Sequence, residues 1–268
     1  MAKTTITDLL EAGVHFGHQT RRWNPKMKPY VYGTRSGITI FDLGKTMHLL
    51  AAACEFLNQT AAAGGQILFV GSKRQAQECL KSTAERLGMP YMCERWLGGT
   101  LTNKDVVFKR LGYLRKLQEQ EASGEMDALP KKEVAGLRRE MEKLQGTLGG
   151  IMNLRGMPKA LVVIDVDREH IAVREAAKLG IPIVALVDSC CNPDPIDYVI
   201  PGNDDALRSI KVIVDALGTA IADGLGVANR KVAAEESELS EAAIGKSDTD
   251  AAETEAEEQE EDEQEQGI

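Results

Sequence analysis

The sequence predicts an α/β fold: a doubly wound parallel sheet with an inserted antiparallel helical hairpin and a disordered acidic C-terminal tail. Three observations carry that expectation. Short runs of near-continuous Val, Ile and Leu alternate with amphipathic stretches, so the strands need cover on both faces. Residues 103–152 break the alternation with a charge-dense segment of heptad spacing. From Val232 onward the composition collapses to acids and small or polar residues.

The elements follow in order. A short N-terminal helix and a basic segment occupy residues 1–37. "SGITIFD" and "GGQILFVGS" are apolar runs bounded by glycine, the mark of buried strands. Between them "KTMHLLAAACEFLNQTAAA" is rich in helix formers and stops at Gly64–Gly65. "KRQAQECLKSTAERLG" is a second amphipathic helix closing on Gly88, and "PYMCERW" a short strand. Beyond the interruption, "KALVVIDV", "IPIVALVD" and "DYVIP" read as strands. "REHIAVREAAKLG" and "NDDALRSIKVIVDALGTAIADG" read as helices. The α/β core is therefore expected over 38–102 and 153–228.

Within the interruption Val134, Leu137, Met141, Leu144, Leu148 and Ile151 step 3, 4, 3, 4, 3, an a/d seam flanked by charge. Val107, Leu111, Leu114 and Leu117 form a comparable stripe. "ASGEMDALP" between them supplies a glycine and a proline, so the spacing predicts two helices folding back as a coiled-coil arm over 103–152.

The chain carries a formal net charge of −9, but that total conceals two parts. From Val232 there are 15 Asp and Glu against Lys246 alone, a net −14; the preceding 231 residues hold 31 Lys and Arg against 26 acids, a net +5. A tail so poor in apolar residues cannot offset the entropy of ordering, so 232–268 is expected to be disordered. It either solubilises the protein or competes with an anionic partner for the basic body. No stretch is long enough to cross a bilayer, and no signal-peptide core opens the chain. Five cysteines without a CxxC pair point to a reducing cytoplasm and exclude a zinc cluster of cysteines.

Two loops at strand ends are candidates for an anionic partner. "FVGSKRQ" places Gly71, Ser72 and Lys73 at a strand-to-helix turn, where free backbone N–H groups attract phosphate. It lacks the G-x-x-x-x-G-K-[ST] pattern, which disfavours a nucleotide-binding enzyme. "RWLGGTLTN", from Arg95 to Asn103, adds glycines and hydroxyls beside an arginine and a tryptophan. The strongest candidate is "HFGHQTRRWNPKMKPYVYGTRSG", His15 to Gly37, which holds no acid. There Arg21, Arg22, Lys26, Lys28 and Arg35 interleave with Trp23, Tyr30 and Tyr32, and Pro25 and Pro29 are expected to hold the chain extended. Cations that pair phosphates and aromatics that stack on exposed bases suit RNA.

"LLEAGVHFGHQTRRWNPKMKPYVYG", "RWLGGTLTN" and "PKALVVIDVDREHIAVREAAKLGIPIVALVDSCCNPDPIDYVIPGNDDA" closely resemble the bacterial small-subunit ribosomal protein two family. The likeness covers essentially residues 1–228. It implies a flavodoxin-like core with a projecting helical hairpin and a structural, non-enzymatic role. It also implies contact with small-subunit ribosomal RNA, and a part in docking the large mRNA-binding ribosomal protein. The family's RNA-facing motif falls on Gly17, His18, Arg21, Arg22, Trp23, Asn24, Pro25, Lys26, Tyr30 and Gly33. Its second loop falls on Arg95, Trp96, Gly98, Gly99, Thr100, Leu101, Thr102 and Asn103. Trp96 and Leu101 equally suit a core position. The expected RNA contacts are thus Arg21, Arg22, Trp23, Asn24, Lys26, Lys28, Tyr30, Tyr32, Arg35, Lys73, Arg95, Thr100, Thr102 and Asn103.

One further constellation is expected at the sheet's crevice. Asp188 ends a strand, Asp204 and Asp205 open the last helix, and α/β folds gather such ends in one place. With a nitrogen from His18 they would form a mixed N/O site for Zn²⁺ or Mg²⁺. Two other function classes compete with the RNA-binding reading. One is an enzyme using Asp165, Asp188 or His170 as base; the other is a protein-only adaptor whose hairpin binds partner helices.

Overall fold

In the computed structural model, which describes residues 4–128 and 130–228, the chain opens with α1 (Ile6–Glu11). Thr5 caps it: its hydroxyl accepts from the Asp8 N–H while the Asp8 carboxylate accepts from the Thr5 N–H. The acidic tail predicted over 232–268 lies outside the described residues.

Next come β1 (Phe16–Gln19), β2 (Val31–Arg35) and β3 (Ile38–Phe41), an antiparallel sheet in the order β1-β3-β2. Ser36 and Gly37 join β2 to β3 with φ of 51° and 75°, the two positive values that a tight two-residue hairpin turn requires. This corrects one expectation. "SGITIFD" is not a strand of the parallel sheet but the centre of this small one. In β3 Thr39 and Phe41 are buried while Ile38 is exposed, the alternation of a sheet covered on one face.

The main sheet follows: α2 (Leu43–Ala62), β4 (Ile67–Val70), α3 (Arg74–Leu87), β5 (Tyr91–Met92), α4 (Lys104–Ala122) and α5 (Lys131–Leu148). Then come β6 (Ala160–Ile164), α6 (His170–Leu179), β7 (Ile183–Val187), β8 (Tyr198–Pro201) and α7 (residues 207–228). The five strands are all parallel, in the order β5-β4-β6-β7-β8. Counted along the chain within this sheet the order is 2-1-3-4-5, a common doubly wound arrangement. Every residue of β4, β6 and β7 is buried, as their unbroken Val/Ile/Leu composition requires. Each fully buried Leu, Ile or Val contributes about 1.5–3 kcal/mol relative to an exposed one.

Side chains alternate between two cores. Ile67, Phe69, Val162, Val184 and Leu186 face α2, α3 and α7. Leu68, Val70, Leu161, Val163 and Ala185 face α6, the bases of α4 and α5, and Met27 of the basic segment. Gly88 and Gly180 end α3 and α6 at φ of 64° and 66°, where a side chain would be strained.

Between β5 and β6, α4 and α5 touch through side chains. Arg138 Nε donates to Glu121 at 2.9 Å, Gln118 to Gln145 at 2.8 Å, and Tyr113 to Glu140 at 3.3 Å. Leu111, Leu114, Leu117 and Leu148 are buried, and Val134, Leu137, Met141 and Leu144 half-buried. The chain re-enters the sheet beside Gly150, where a Cβ would lie 2.2 Å from the Tyr91 carbonyl oxygen, so only glycine lets it pass β5 this closely.

Candidate nucleic-acid interface

The basic segment is not extended as its prolines suggested. It makes two 3₁₀ turns, Thr20–Arg22 and Pro25–Tyr30, before entering β2. Asn24 caps the second turn, its side-chain oxygen accepting from the Lys26 N–H at 3.0 Å, and Pro25 stands where a missing N–H costs nothing. Met27 is fully buried and anchors the turn; the Asn24 N–H donates to the Ser189 carbonyl at 2.8 Å. With one side anchored, the other is displayed. Arg21, Arg22, Trp23, Lys26, Lys28, Tyr32 and Arg35 are exposed, Tyr32 at 81%. Lys26 pairs with Asp194. Among the described residues, Arg21, Arg22, Lys28 and Arg35 make no ion pair with a carboxylate. Tyr30 is half-buried against the second core.

The second loop, between β5 and α4, is mostly turned inward. Trp96, Thr100 and Leu101 are buried, and the Thr100 hydroxyl donates to the Leu97 carbonyl at 2.5 Å. Thr100, expected at an RNA surface, is therefore internal. The Thr102 hydroxyl is occupied by Glu175; Arg95 and Asn103 remain exposed. The organiser of this loop, Glu175, escaped the sequence reading. Its carboxylate accepts from Trp96 Nε1 at 3.1 Å and from the N–H groups of Gly99, Leu101 and Thr102 at 2.7, 3.0 and 3.1 Å. Burial works against its charge, but the bonds from the Trp96 indole and then from the loop amides prevail and hold the carboxyl below its usual range. The available signal was an acid on an apolar helix face, with Ala172, Val173 and Ala176 all buried around it.

The other loop, at the end of β4, is also taken up internally. Ser72 gives both its N–H and its hydroxyl to buried Glu169, and Arg168 Nε donates to the Ser72 oxygen at 2.8 Å. Lys73 is only 8% exposed, with Nζ 2.7 Å from Asp204, 2.6 Å from Asp205 and 3.5 Å from Asp165. Burial opposes the charge of Lys73, yet Asp204 and Asp205 raise its pKa above the ordinary value. Lys73, expected among the RNA contacts, thus has its charge committed to carboxylates within the fold.

These groups line the crevice beyond the C-terminal ends of β6, β7 and β8, where His18 joins them. Gly17 permits the approach of β1, since a Cβ there would lie 2.8 Å from Ser189 Oγ. His18 Nδ1 is 2.9 Å from Asp188 and Nε2 is 3.3 Å from Asp205. The bond to Asp188 is the chief cause that raises the imidazole pKa to about 11. Burial, helped by the Asp188 charge, raises Asp204 to about 7. His18, Asp188, Asp204 and Asp205 are thus brought together, but the imidazole ring divides them. Asp188 and Cys190 cluster on one side, Asp204 and Asp205 on the other. His15 stays outside, its ring tilted 40° against that of Phe16 and its Nδ1 without a hydrogen-bond partner among the described residues. His170 stands at the exposed start of α6, its Nδ1 3.0 Å from the Asp167 carbonyl oxygen.

The family model described as "Ribosomal protein S2" matches residues 9–224. The small ribosomal subunit protein uS2 of Mycobacterium leprae is 50% identical over 227 residues, covering 85% of this chain and 82% of that protein. The protein of the same name from Corynebacterium kroppenstedtii is 50% identical over 252 residues, covering 94% and 86%. That of Mycobacterium tuberculosis is 49% identical over 244 residues, covering 89% and 85%. The matched span runs from α1 through both sheets into α7 and includes the displayed basic segment. On that evidence the chain belongs to the ribosomal protein S2 family, which is structural and not enzymatic.

Proposed function

We propose that this chain is a structural protein of the small ribosomal subunit, acting in the cytoplasm in translation, and that it binds ribosomal RNA through the segment 20–35. The observation that carries the reading is the set of exposed cations Arg21, Arg22, Lys28 and Arg35, without an ion-pair partner among the described residues, beside exposed Trp23 and Tyr32 on a buried Met27 anchor. Arg95, Thr102 and Asn103 extend the surface at the second loop. Pairing of phosphates by the cations and stacking of unpaired bases on the aromatics give affinity without sequence readout.

The remaining organisation follows the same plan. Residues 1–37 form the RNA-binding segment and its helix, with β3 (Ile38–Phe41) completing their small sheet; the rest of 38–102 and 153–228 form the flavodoxin-like core, and 103–152 a coiled-coil arm. The a/d positions of α4 and α5 are their least exposed ones, which supports the arm. The arm and the crevice serve neighbouring ribosomal proteins, and the chain helps to dock the large mRNA-binding one. A divalent ion, Zn²⁺ in preference to Mg²⁺ because a ring nitrogen is offered, would sit on His18 Nε2 with Asp204 and Asp205. These three groups have ligand atoms within 4.8 Å of one another. Binding would displace the Lys73 ammonium from both carboxylates and a proton from the imidazole. Asp188 holds the opposite ring nitrogen and would orient the ligand.

The test is sedimentation of the tagged protein from cell extracts at low and high magnesium. Comigration with small subunits at both is expected, and a predominantly free protein overturns the reading. Elemental analysis of the purified protein addresses the ion: zinc at one equivalent, lost in His18→Ala, is expected, and a metal-free protein overturns that part.

A further inference from the structure

The loop between β5 and α4 has the donor set of an anion-binding cradle, and the anion in it belongs to the protein. Three main-chain N–H groups (Gly99, Leu101 and Thr102), the Trp96 indole and the Thr102 hydroxyl converge on Glu175 at 2.7–3.2 Å. Gly99, at φ of 90°, makes the turn that aims its N–H inward. Oε1 takes the indole and Gly99; Oε2 takes Leu101 and both donors of Thr102. That fills the roughly four lone-pair sites of a carboxylate. Among the described residues no Lys, Arg or His lies within ion-pair distance of Glu175, so neutral dipoles alone hold a nearly buried charge. Successive backbone N–H groups turned to one point form the concave nest that elsewhere binds phosphate.

The placement has a consequence for function. Arg95 precedes the held stretch, and Asn103 with the start of α4 at Lys104 follows it directly. Releasing the loop from α6 therefore releases both exposed polar side chains and the base of α4. We propose that Glu175 is the built-in anion of a cradle formed by residues 96–102 and the positioning residue for Arg95 and Asn103. The cradle accepts a small exogenous carboxylate once the Glu175 side chain is removed. The part concerning Arg95 and Asn103 rests on the RNA-binding reading above; the cradle does not.

The experiment uses the full chain with Glu175→Ala and the isosteric Glu175→Gln, read by amide hydrogen exchange and by the Trp96 indole resonance. In Glu175→Ala, exchange at Gly99, Leu101 and Thr102 is expected to rise at least tenfold, with β6 and β7 unchanged. Acetate or formate at about 0.1 M restores protection, whereas chloride at equal ionic strength does not. Unchanged exchange overturns the cradle, and so does restoration by chloride. Should Glu175→Ala not fold, Glu175→Gln decides, because its NH₂ group faces N–H donors on one side only. Selective loss of protection on that side supports the cradle, and full protection overturns it. Affinity for small-subunit ribosomal RNA separates the two parts. A severalfold loss in Glu175→Gln, with the salt slope reduced by no more than about 0.7–0.9, is expected of a positioning residue, since Arg95 is the cation whose placement is lost. Full affinity with an opened loop overturns the positioning role and leaves both the cradle and the RNA-binding segment standing.

Discussion

The segment from Thr20 to Arg35 and the two strand-end loops, 71–73 and 95–103, draw on a common set of residues: cations, glycine, hydroxyls and aromatics. Their hydrogen bonds and charges go to opposite destinations. In the first, one buried methionine and a main-chain bond to Ser189 fix the backbone, and the cations are left outside. In the loops, Glu169, Glu175 and three aspartates take up the N–H groups, the hydroxyls and Lys73. A basic residue beside a glycine turn is thus a binding group only when the fold leaves it uncommitted. The two regions should differ most in stability when a cation is removed from each.

Lys73→Met should show the largest effect. It leaves Asp204 buried without its partner and Asp165 without its cation, and loss of one member of a buried pair costs about 3–5 kcal/mol. Arg21→Glu and Arg22→Glu, on the displayed side, should change folding stability by no more than about 0.5 kcal/mol. Urea unfolding of the three variants measures both. A Lys73→Met protein as stable as the parent would remove the distinction between committed and free cations.

The same arginine changes should act on RNA binding where Lys73→Met acts on folding. Each lost phosphate contact should reduce the slope of log affinity against log salt by about 0.7–0.9. The double variant Arg21→Glu, Arg22→Glu should therefore enter small subunits poorly at moderate salt while its circular dichroism is unchanged. Filter binding to ribosomal RNA across a salt series measures the slope, and a slope equal to the parent's would place the interface elsewhere.

Much of this arrangement was legible in the sequence, for physical reasons. β4, β6 and β7 are buried on both faces, so their apolar runs are unbroken, and Gly88 and Gly180 mark helix ends because only glycine takes positive φ freely. "SGITIFD" was misplaced because a four-residue apolar run does not distinguish a parallel core strand from the centre of a small antiparallel sheet. The extended reading of residues 20–30 failed because Pro25 fits the first position of a 3₁₀ turn as well as it fits an extended chain. The burial of Lys73 and Thr100 was not legible, for another reason. Lys73 meets Asp204 across 131 positions of sequence, and no local pattern reports so distant a partner. Glu175 was hidden likewise, since its donors lie more than 70 residues earlier. His18, Asp188, Asp204 and Asp205 were found because strand ends of a parallel sheet share one crevice whatever their separation. The split of that cluster by the imidazole ring was beyond the same rule, which gives positions and not side-chain directions.

Acid should separate the two regions again, more gently. Glu175 has a folded pKa below its ordinary value, so its ionisation favours the folded state above the unfolded-state pKa of about 4.3. That stabilisation is expected to disappear as pH falls through the lower, folded value. Down to the ordinary Glu range the loop 96–102 should keep its exchange protection, and it should lose it only as pH falls through the lower, folded value. In Glu175→Gln that acid-dependent step should be absent. A step of equal size in the variant would assign it to other carboxylates. Among the described residues the segment 20–35 has no such carboxylate contact except Lys26 with exposed Asp194, so its display should change little over the same range.

The smallest effect concerns the tail, and it tests whether the displayed cations are free in solution as well as within the fold. Truncation after Lys231 moves the formal net charge from −9 to +5 without touching a described element. If the acids beyond Val232 compete for Arg21, Arg22, Lys28 and Arg35, the truncated protein should bind unrelated RNA more tightly at low salt. The gain should fade near 0.15 M, where charges more than about 8 Å apart are screened. Incorporation into small subunits should change by less than about twofold, because the specific site already supplies the phosphates that displace a competitor. The discriminating measurement is the affinity of full-length and truncated protein for a non-ribosomal RNA at low and at physiological salt. A difference that persists unchanged at high salt would point to a specific tail contact. Equal affinities at low salt would reduce the tail to a solubiliser, leaving the cations of residues 20–35 free throughout.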